Sequence, residues 1–160
     1  MEIEFRALVP SDLLFLKEMF FISLFAVPEE EAFPKDIIEK PHLARYHEHW
    51  GKAGDIGIIA MQGMEEIGAV WARFFEADAP GYGFVKEEAP ELGIAIKKAF
   101  RGQGLGRKLM EILFEKLREK SVPAVSLSTD SRNPAMYLYQ KLGFEEISRE
   151  EYSVLMYKEL

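Results

Sequence analysis

Residues Glu91 to Leu117 read ELGIAIKKAFRGQGLGRKLMEILFEKL, and this stretch decides the fold. An apolar segment around Ile94, Ala95 and Ile96 predicts a strand. A short basic loop follows, then three alternating glycines, then an amphipathic helix. Gly102, Gly104 and Gly106 sit where that helix begins. The first N–H groups of a helix have no internal partner, and the helix dipole adds partial positive charge there. Glycine lets a phosphate approach such a backbone closely. Lys97, Lys98, Arg101, Arg107 and Lys108 surround the turn with positive charge. The stretch reads as a pyrophosphate-binding turn.

Three kinds of glycine loop bind nucleotides, and spacing separates them. No Gly-Lys-Ser/Thr occurs, so this is not a P-loop. Counting from Gly102, the sixth position is Arg107, so the dinucleotide pattern G-x-G-x-x-G fails. The form [RQ]-x-x-G-x-[GA] is met by Arg101, Gly104 and Gly106, with Gln103 and Leu105 between them. In this the chain resembles the GNAT superfamily of acyl-CoA-dependent N-acyltransferases. A second stretch, Asn133 to Phe144 (NPAMYLYQKLGF), is similar to that family's other signature: an Asn, a short helix carrying a Tyr, then Gly-Phe. Asn133 is a good helix cap, Pro134 suits the first helical position and Gly143 the position past the end. Asn133 stands one residue nearer to Tyr139 than is usual in the family, so the family's position before this helix falls to Asn133 or Arg132.

Composition bounds the rest. At 160 residues and 48% hydrophobic, the chain suits a single domain over 1–160 with a sizeable core. Net charge of −7 argues against broad nucleic-acid binding, and it is a common soluble surface as well as one suited to a cationic amine. Absence of cysteine excludes disulfides, thiolate metal sites and an acyl-cysteine intermediate. No secretory leader pattern and no long uncharged apolar run are present, which predicts a cytoplasmic protein away from membranes. His42, His47 and His49 lack the i, i+4 spacing of a helical metal site, so no metal is expected. A lesser reading sets His47, His49 or Tyr46 against an acceptor.

Residues Glu2 to Leu8 predict a half-buried strand, and Leu13 to Ala26 a helix apolar on nearly all sides. Its second face suits either an acceptor pocket or a homodimer contact. Pro28 to Pro41 reads as a turn and a short helix. Asp55–Met61 and Ile67–Phe75 predict a hairpin around Gly63. Strict alternation sets Ile67, Ala69, Trp71, Arg73 and Phe75 on one face; Trp71 reads as core and Arg73 as a snorkelling surface residue. Asp78 to Pro90 reads as a mobile loop, with Tyr82 and Phe84 as pocket candidates. Val122 to Asp130 and two further strands complete the order β-α-α-β-β-β-α-β-α-β-β.

That order is similar to the GNAT layout. The resemblance implies an α+β, three-layer fold: a mixed, mostly antiparallel sheet of six to seven strands, helices on both faces, and splayed central parallel strands. It implies acetyl-CoA as cosubstrate and transfer of the acetyl group to a primary amine of a small molecule or peptide. The alternative is a non-catalytic acyl-CoA-binding domain. On this resemblance the backbone of Ile94, Ala95 and Ile96 would hold the pantetheine arm. Arg101, Gly102, Gln103, Gly104, Leu105, Gly106 and Arg107 would hold the pyrophosphate, and Asn133 would assist. Tyr139 would be the general acid. Glu91 is the first candidate for the general base, with Asp130 and Glu48 behind it.

Overall fold

Seven strands form where the sequence alternates or runs apolar: β1 (Ile3–Ala7), β2 (Ile56–Gln62), β3 (Glu65–Arg73), β4 (Glu91–Ile96), β5 (Ala124–Asp130), β6 (Glu145–Glu150) and β7 (Ser153–Glu159). In the computed structural model, which describes residues 2–25, 27, 28, 30 and 32–160, they make one sheet in the order β1-β2-β3-β4-β5-β7-β6. All neighbouring pairs are antiparallel except β4 and β5. The α+β class and the mixed, mostly antiparallel sheet expected from the sequence are therefore present.

Helices cover both faces. α1 (Leu13–Ser23) and the short α2 (Pro41–Ala44) lie on one, packing Leu16, Met19, Phe20 and Leu43 with Ile59, Ala69, Trp71 and Ala95. α3 (Leu105–Glu119) and α4 (Met136–Lys141) lie on the other, with Leu109, Leu113, Leu117 and Tyr139 against Val70, Leu92, Val125 and Leu127. Leu105, Leu109, Met110, Leu113 and Leu117 recur at helical spacing, which gives α3 one apolar stripe. α1 ends at Ser23, short of the expected Ala26; Ala26 lies outside the described residues.

Strict alternation fails at one place on β3. The pairing of β2 with β3 shifts between Ala60 and Met61, so that Ile67 is an extra residue on β3. A bulge of this kind changes the side-chain phase beyond it. Ile67 therefore packs in the α3 layer, whereas Ala69 and Trp71 pack in the α1 layer.

Arg73 is not a surface residue as its sequence context suggested; it is 3% exposed. Its Nε and Nη2 donate to the two Asp55 carboxylate oxygens at 3.0 and 2.8 Å. Its Nη1 donates to the carbonyls of Arg45 and Glu48 at 2.9 and 2.8 Å. The guanidinium lies 5.2 Å from the centre of the Trp50 ring. One cation thus ties residues 45–55 to the end of β3. The hydrogen bonds supply what desolvation of two charges requires.

Asp55→Ala would leave Arg73 buried without its counter-ion. Urea denaturation should show a loss of about 3–5 kcal/mol, largely regained in Asp55→Ala/Arg73→Met. A single variant as stable as the parent would mean that the pair does not hold this segment.

Candidate active site

β4 and β5 are held together at one point. Their single bridge pairs Glu91 with Ser126, and the Ser126 N–H donates to the Pro90 carbonyl at 3.0 Å. Beyond it the strands part, because each stays fully paired to its other neighbour, β3 or β7. The Lys97 N–H donates to the Ile67 carbonyl at 2.9 Å. This sets the parity: odd-numbered residues of β4 bond to β3, and even-numbered ones turn their backbone into the gap. Ile94 and Ile96 therefore face the gap. Ala95, expected to share that role, faces β3 instead, where it pairs with Ala69. Arg101 Nε donates to the Ile96 carbonyl at 2.9 Å and ties the following loop to the strand end.

The glycine turn comes next. Gly102 and Gly104 have φ of +79° and +80°, a region that costs other residues energy. A Cβ on either would meet nothing within 4 Å, so backbone conformation rather than space calls for glycine here. Gly106 differs: a Cβ there would lie 3.3 Å from both Ile96 Cδ1 and Leu138 Cδ2, so it lets α3 approach β4 and α4. Arg107 Nε is bonded to Glu111 at 2.9 Å on the exposed side of α3. Leu105 is buried and fills the α3 layer, while Gln103, Gly104 and Lys108 border a second, smaller cleft beside β1.

A cleft of about 400 Å³ passes through the gap. On the α4 side it is lined by Ile94, Thr129, Asn133 and Tyr139. On the α1 side it is lined by Phe20, Leu24, Phe33, Tyr46, Trp71 and Glu91, among others. The indole of Trp71 covers Gly93, where a Cβ would come within 2.6 Å of the ring. The small residue expected beside Glu91 is thus occupied by an aromatic wall rather than by open space.

Glu91 is 5% exposed and sits at the start of β4. Its Oε1 accepts from the Tyr46 hydroxyl at 2.9 Å and from the Gly83 N–H at 2.7 Å. The Tyr46 hydroxyl in turn accepts from the Tyr82 N–H at 2.6 Å. Glu91 Oε2 is buried and makes no hydrogen bond among the described residues. Burial pushes the Glu91 pKa up, opposed by the Gly83 N–H and the Tyr46 hydroxyl. The loop expected to be mobile is pinned by these bonds, and by Arg45, which donates to the Pro80 carbonyl at 2.6 Å. A Cβ at Gly81 would collide with the Glu91 carboxylate and the Tyr46 hydroxyl.

Tyr139 is 7% exposed and opens onto the cleft from α4. Its hydroxyl has no hydrogen-bond partner among the described residues, and burial pushes its pKa up to about 12. It therefore keeps its proton at neutral pH.

Known proteins share this fold. The family profile of the acetyltransferase (GNAT) domain matches residues 53–146, more than half of the chain. The chain belongs to the GNAT family. Among curated relatives it is 38% identical over 63 residues to the [ribosomal protein bS18]-alanine N-acetyltransferase of Haemophilus influenzae; the match spans 39% of this chain and 43% of that protein. It is 35% identical over 69 residues to the mycothiol acetyltransferase of Corynebacterium glutamicum, over 40% of this chain and 24% of that protein. The chain thus spans less than half of the length of these relatives. The PaiA N-acetyltransferase of Thermoplasma acidophilum, solved with coenzyme A, superposes over 100% of both chains, with a TM-score of 0.72 and 19% identity. The ribosomal-protein-S18-alanine N-acetyltransferase of Escherichia coli superposes over 99% of this chain and 94% of that one, with a TM-score of 0.70 and 18% identity.

Within this GNAT fold the lesser sequence candidates fall away from the cleft or are occupied. Asp130 accepts from Arg132 Nε and Nη2 at 2.9 and 2.7 Å, which holds its carboxyl below the usual range. Glu48 is exposed and does not line the cleft. Arg132 is spent on Asp130 and stacks on Tyr152 at 3.7 Å, whereas Asn133 lines the cleft. The Asn133 Oδ1 accepts from the Ala135 N–H at 2.9 Å, so it caps the turn that leads into α4. His47 is buried against the Ile38 carbonyl at 2.9 Å, a packing role; His42 stands at the cleft. Tyr46 was only a lesser candidate in the sequence. No local pattern marks a tyrosine that meets a glutamate 45 positions later.

Tyr46→Phe removes a hydrogen bond that favours the charged form of Glu91. The Glu91 pKa should therefore rise further, read by carbon-detected NMR titration of the labelled carboxyl. A pKa that stays or falls would remove Tyr46 from control of this group.

Proposed function

We propose that the chain is an acyl-CoA-dependent N-acetyltransferase, carried by one domain over 1–160, that moves an acetyl group from acetyl-CoA to a primary amine. The observation that carries this reading is the gap between β4 and β5, with the glycine turn at its end and the Tyr139 hydroxyl inside it. Acetyl-CoA, when bound, supplies the thioester. The Ile94 and Ile96 N–H groups and the Ile94 carbonyl take the pantetheine arm as an added strand. The amides of Gly102 to Arg107 take the pyrophosphate at the start of α3, with Arg101 and Arg107 adding charge. Asn133 borders the arm from the α4 side.

Glu91 is the base. A protonated amine gives a proton to its carboxylate, directly or through one water. The neutral nitrogen forms the new C–N bond to the acetyl carbon while the C–S bond breaks. Tyr139 gives its proton to the leaving sulfur, and the nitrogen gives its second proton to water. Tyr139 and Glu91 regain their starting states by exchange with solvent, so the products are the N-acetyl amide and free CoA thiol. The raised pKa of Glu91 makes it a stronger base than an exposed carboxylate, and that of Tyr139 keeps it in the acid form. Activity should fall with decreasing pH as Glu91 is protonated.

Thermal melts with acetyl-CoA, CoA, NAD and ATP at a hundred times Kd test the cofactor; the CoA species alone should add about 2.7 kcal/mol of stability. A shift with NAD or ATP instead would overturn the reading. Tyr139→Phe should bind CoA as before and lose about 10²–10⁴-fold in kcat. Turnover equal to the parent would remove Tyr139 as the acid.

A further inference from the structure

The α1 side of the cleft narrows the acceptor. Its walls are hydrocarbon: Phe20 and Leu24 from the end of α1, Phe33 and Ile37 from the segment after it, and Trp71 from β3. The rings are organised. Phe20 stacks on Tyr46 with centroids 5.5 Å apart and meets Trp71 edge-on at 6.4 Å. The helix that the sequence left apolar on nearly every side thus spends one side on the sheet and turns Phe20 and Leu24 to this cleft.

Two of the polar groups on this side are already engaged. The Ser23 hydroxyl donates to the Phe20 carbonyl at 2.6 Å, and the Tyr46 hydroxyl is engaged twice. Glu91 is the one acid on this side that is not bonded to a cation among the described residues; Asp130, further along the cleft, is held by Arg132. α1 ends here, and the carboxyl end of a helix carries partial negative charge. That end and Glu91 together favour one amine and repel a carboxylate. Arg45 stands beside the cleft, over the Tyr82 ring at 5.2 Å. A polyamine would find the second lining acid, Asp130, already paired with Arg132. A peptide would bring backbone N–H and C=O groups between side-chain walls of hydrocarbon, and leaving them unpaired is costly.

We propose that the acceptor is a primary amine borne on one compact hydrocarbon body, an arylalkylamine or branched alkylamine. The nitrogen lies at Glu91 and the body lies among Phe20, Leu24, Phe33 and Trp71. This rests on the transferase reading above, and it makes the hydrocarbon walls the source of selectivity. Each methylene buried there should raise kcat/KM about fourfold.

The test is CoA thiol release with 2-phenylethylamine, 3-methylbutylamine, ethylamine, spermidine, phenylalanine and a hexapeptide with a free N-terminus, each at equal concentration. The two hydrocarbon amines should exceed ethylamine by at least about tenfold in kcat/KM and exceed the other three by more. Phe33→Ser, at a partly exposed wall, should lower kcat/KM for 2-phenylethylamine severalfold while the Kd for CoA stays unchanged. Leu14→Ser, on the outer face of α1, should change neither. Spermidine, phenylalanine or the hexapeptide as the best acceptor would overturn the proposal. A protein that binds CoA yet releases thiol with no amine overturns the transferase reading instead. Saturation-transfer NMR of the same six compounds against the CoA complex then still decides the acceptor class. Binding of the hydrocarbon amines alone supports it, and binding of spermidine, phenylalanine or the peptide in their place, or of none of the six, rejects it.

Discussion

The single bridge between Glu91 and Ser126 is the constraint on which the rest of the molecule depends. On one side, β4 follows β3 along its whole length; on the other, β5 follows β7 along its whole length. Each half-sheet keeps its own twist, and adjacent strands rotate relative to each other. The two halves meet at one point and diverge beyond it. Ordinarily the unpaired amides of a central strand would be a cost. Here Ile94 and Ile96 present theirs to a cleft, and α3 begins where the gap opens. Gly106 permits that closeness, since its missing side chain lets Ile96 and Leu138 approach the helix start.

The same bridge places the buried carboxylate. Glu91 lies at the last paired position, so its side chain stands at the edge of the gap. A carboxylate so buried demands donors. Tyr46 and the Gly83 N–H supply them, and they belong to two segments outside the sheet. The Arg73–Asp55 pair carries the segment of Tyr46 to the end of β3. Glycine at 81 lets the loop pass against the carboxylate. Structural ion pair, loop and candidate base therefore form one connected set, although they come from distant parts of the chain.

Electrostatics differ along the cleft. Asp130, at the far end of β5 from the Glu91–Ser126 bridge, is neutralised by Arg132 and is held in its charged form. Glu91 makes no ion pair among the described residues, and burial dominates its titration. Two carboxylates that border one cleft thus have opposite chemistry. Environment, not residue type, separates them.

The sequence by itself determined the parts of this protein that short-range physics controls. Gly102 and Gly104 need left-handed backbone, Asn133 caps its turn, and α3 shows one apolar stripe; each follows from residues within a few positions. The element order, the mixed sheet and the cleft position of Tyr139 followed from these patterns and from the family resemblance. Tertiary structure decided what distance along the chain conceals. Arg73 is buried because Asp55 and two carbonyls meet it, and nothing next to it in sequence shows them. Ile67 changes face because a bulge shifts the register against β2, which depends on both strands. Ala95 turns from the gap because parity is set by hydrogen bonds to β3. Tyr46 reaches Glu91 only once the sheet, α2 and the loop are packed. A side chain's role depends on its partners, and partners this far apart in sequence are brought together only by the fold.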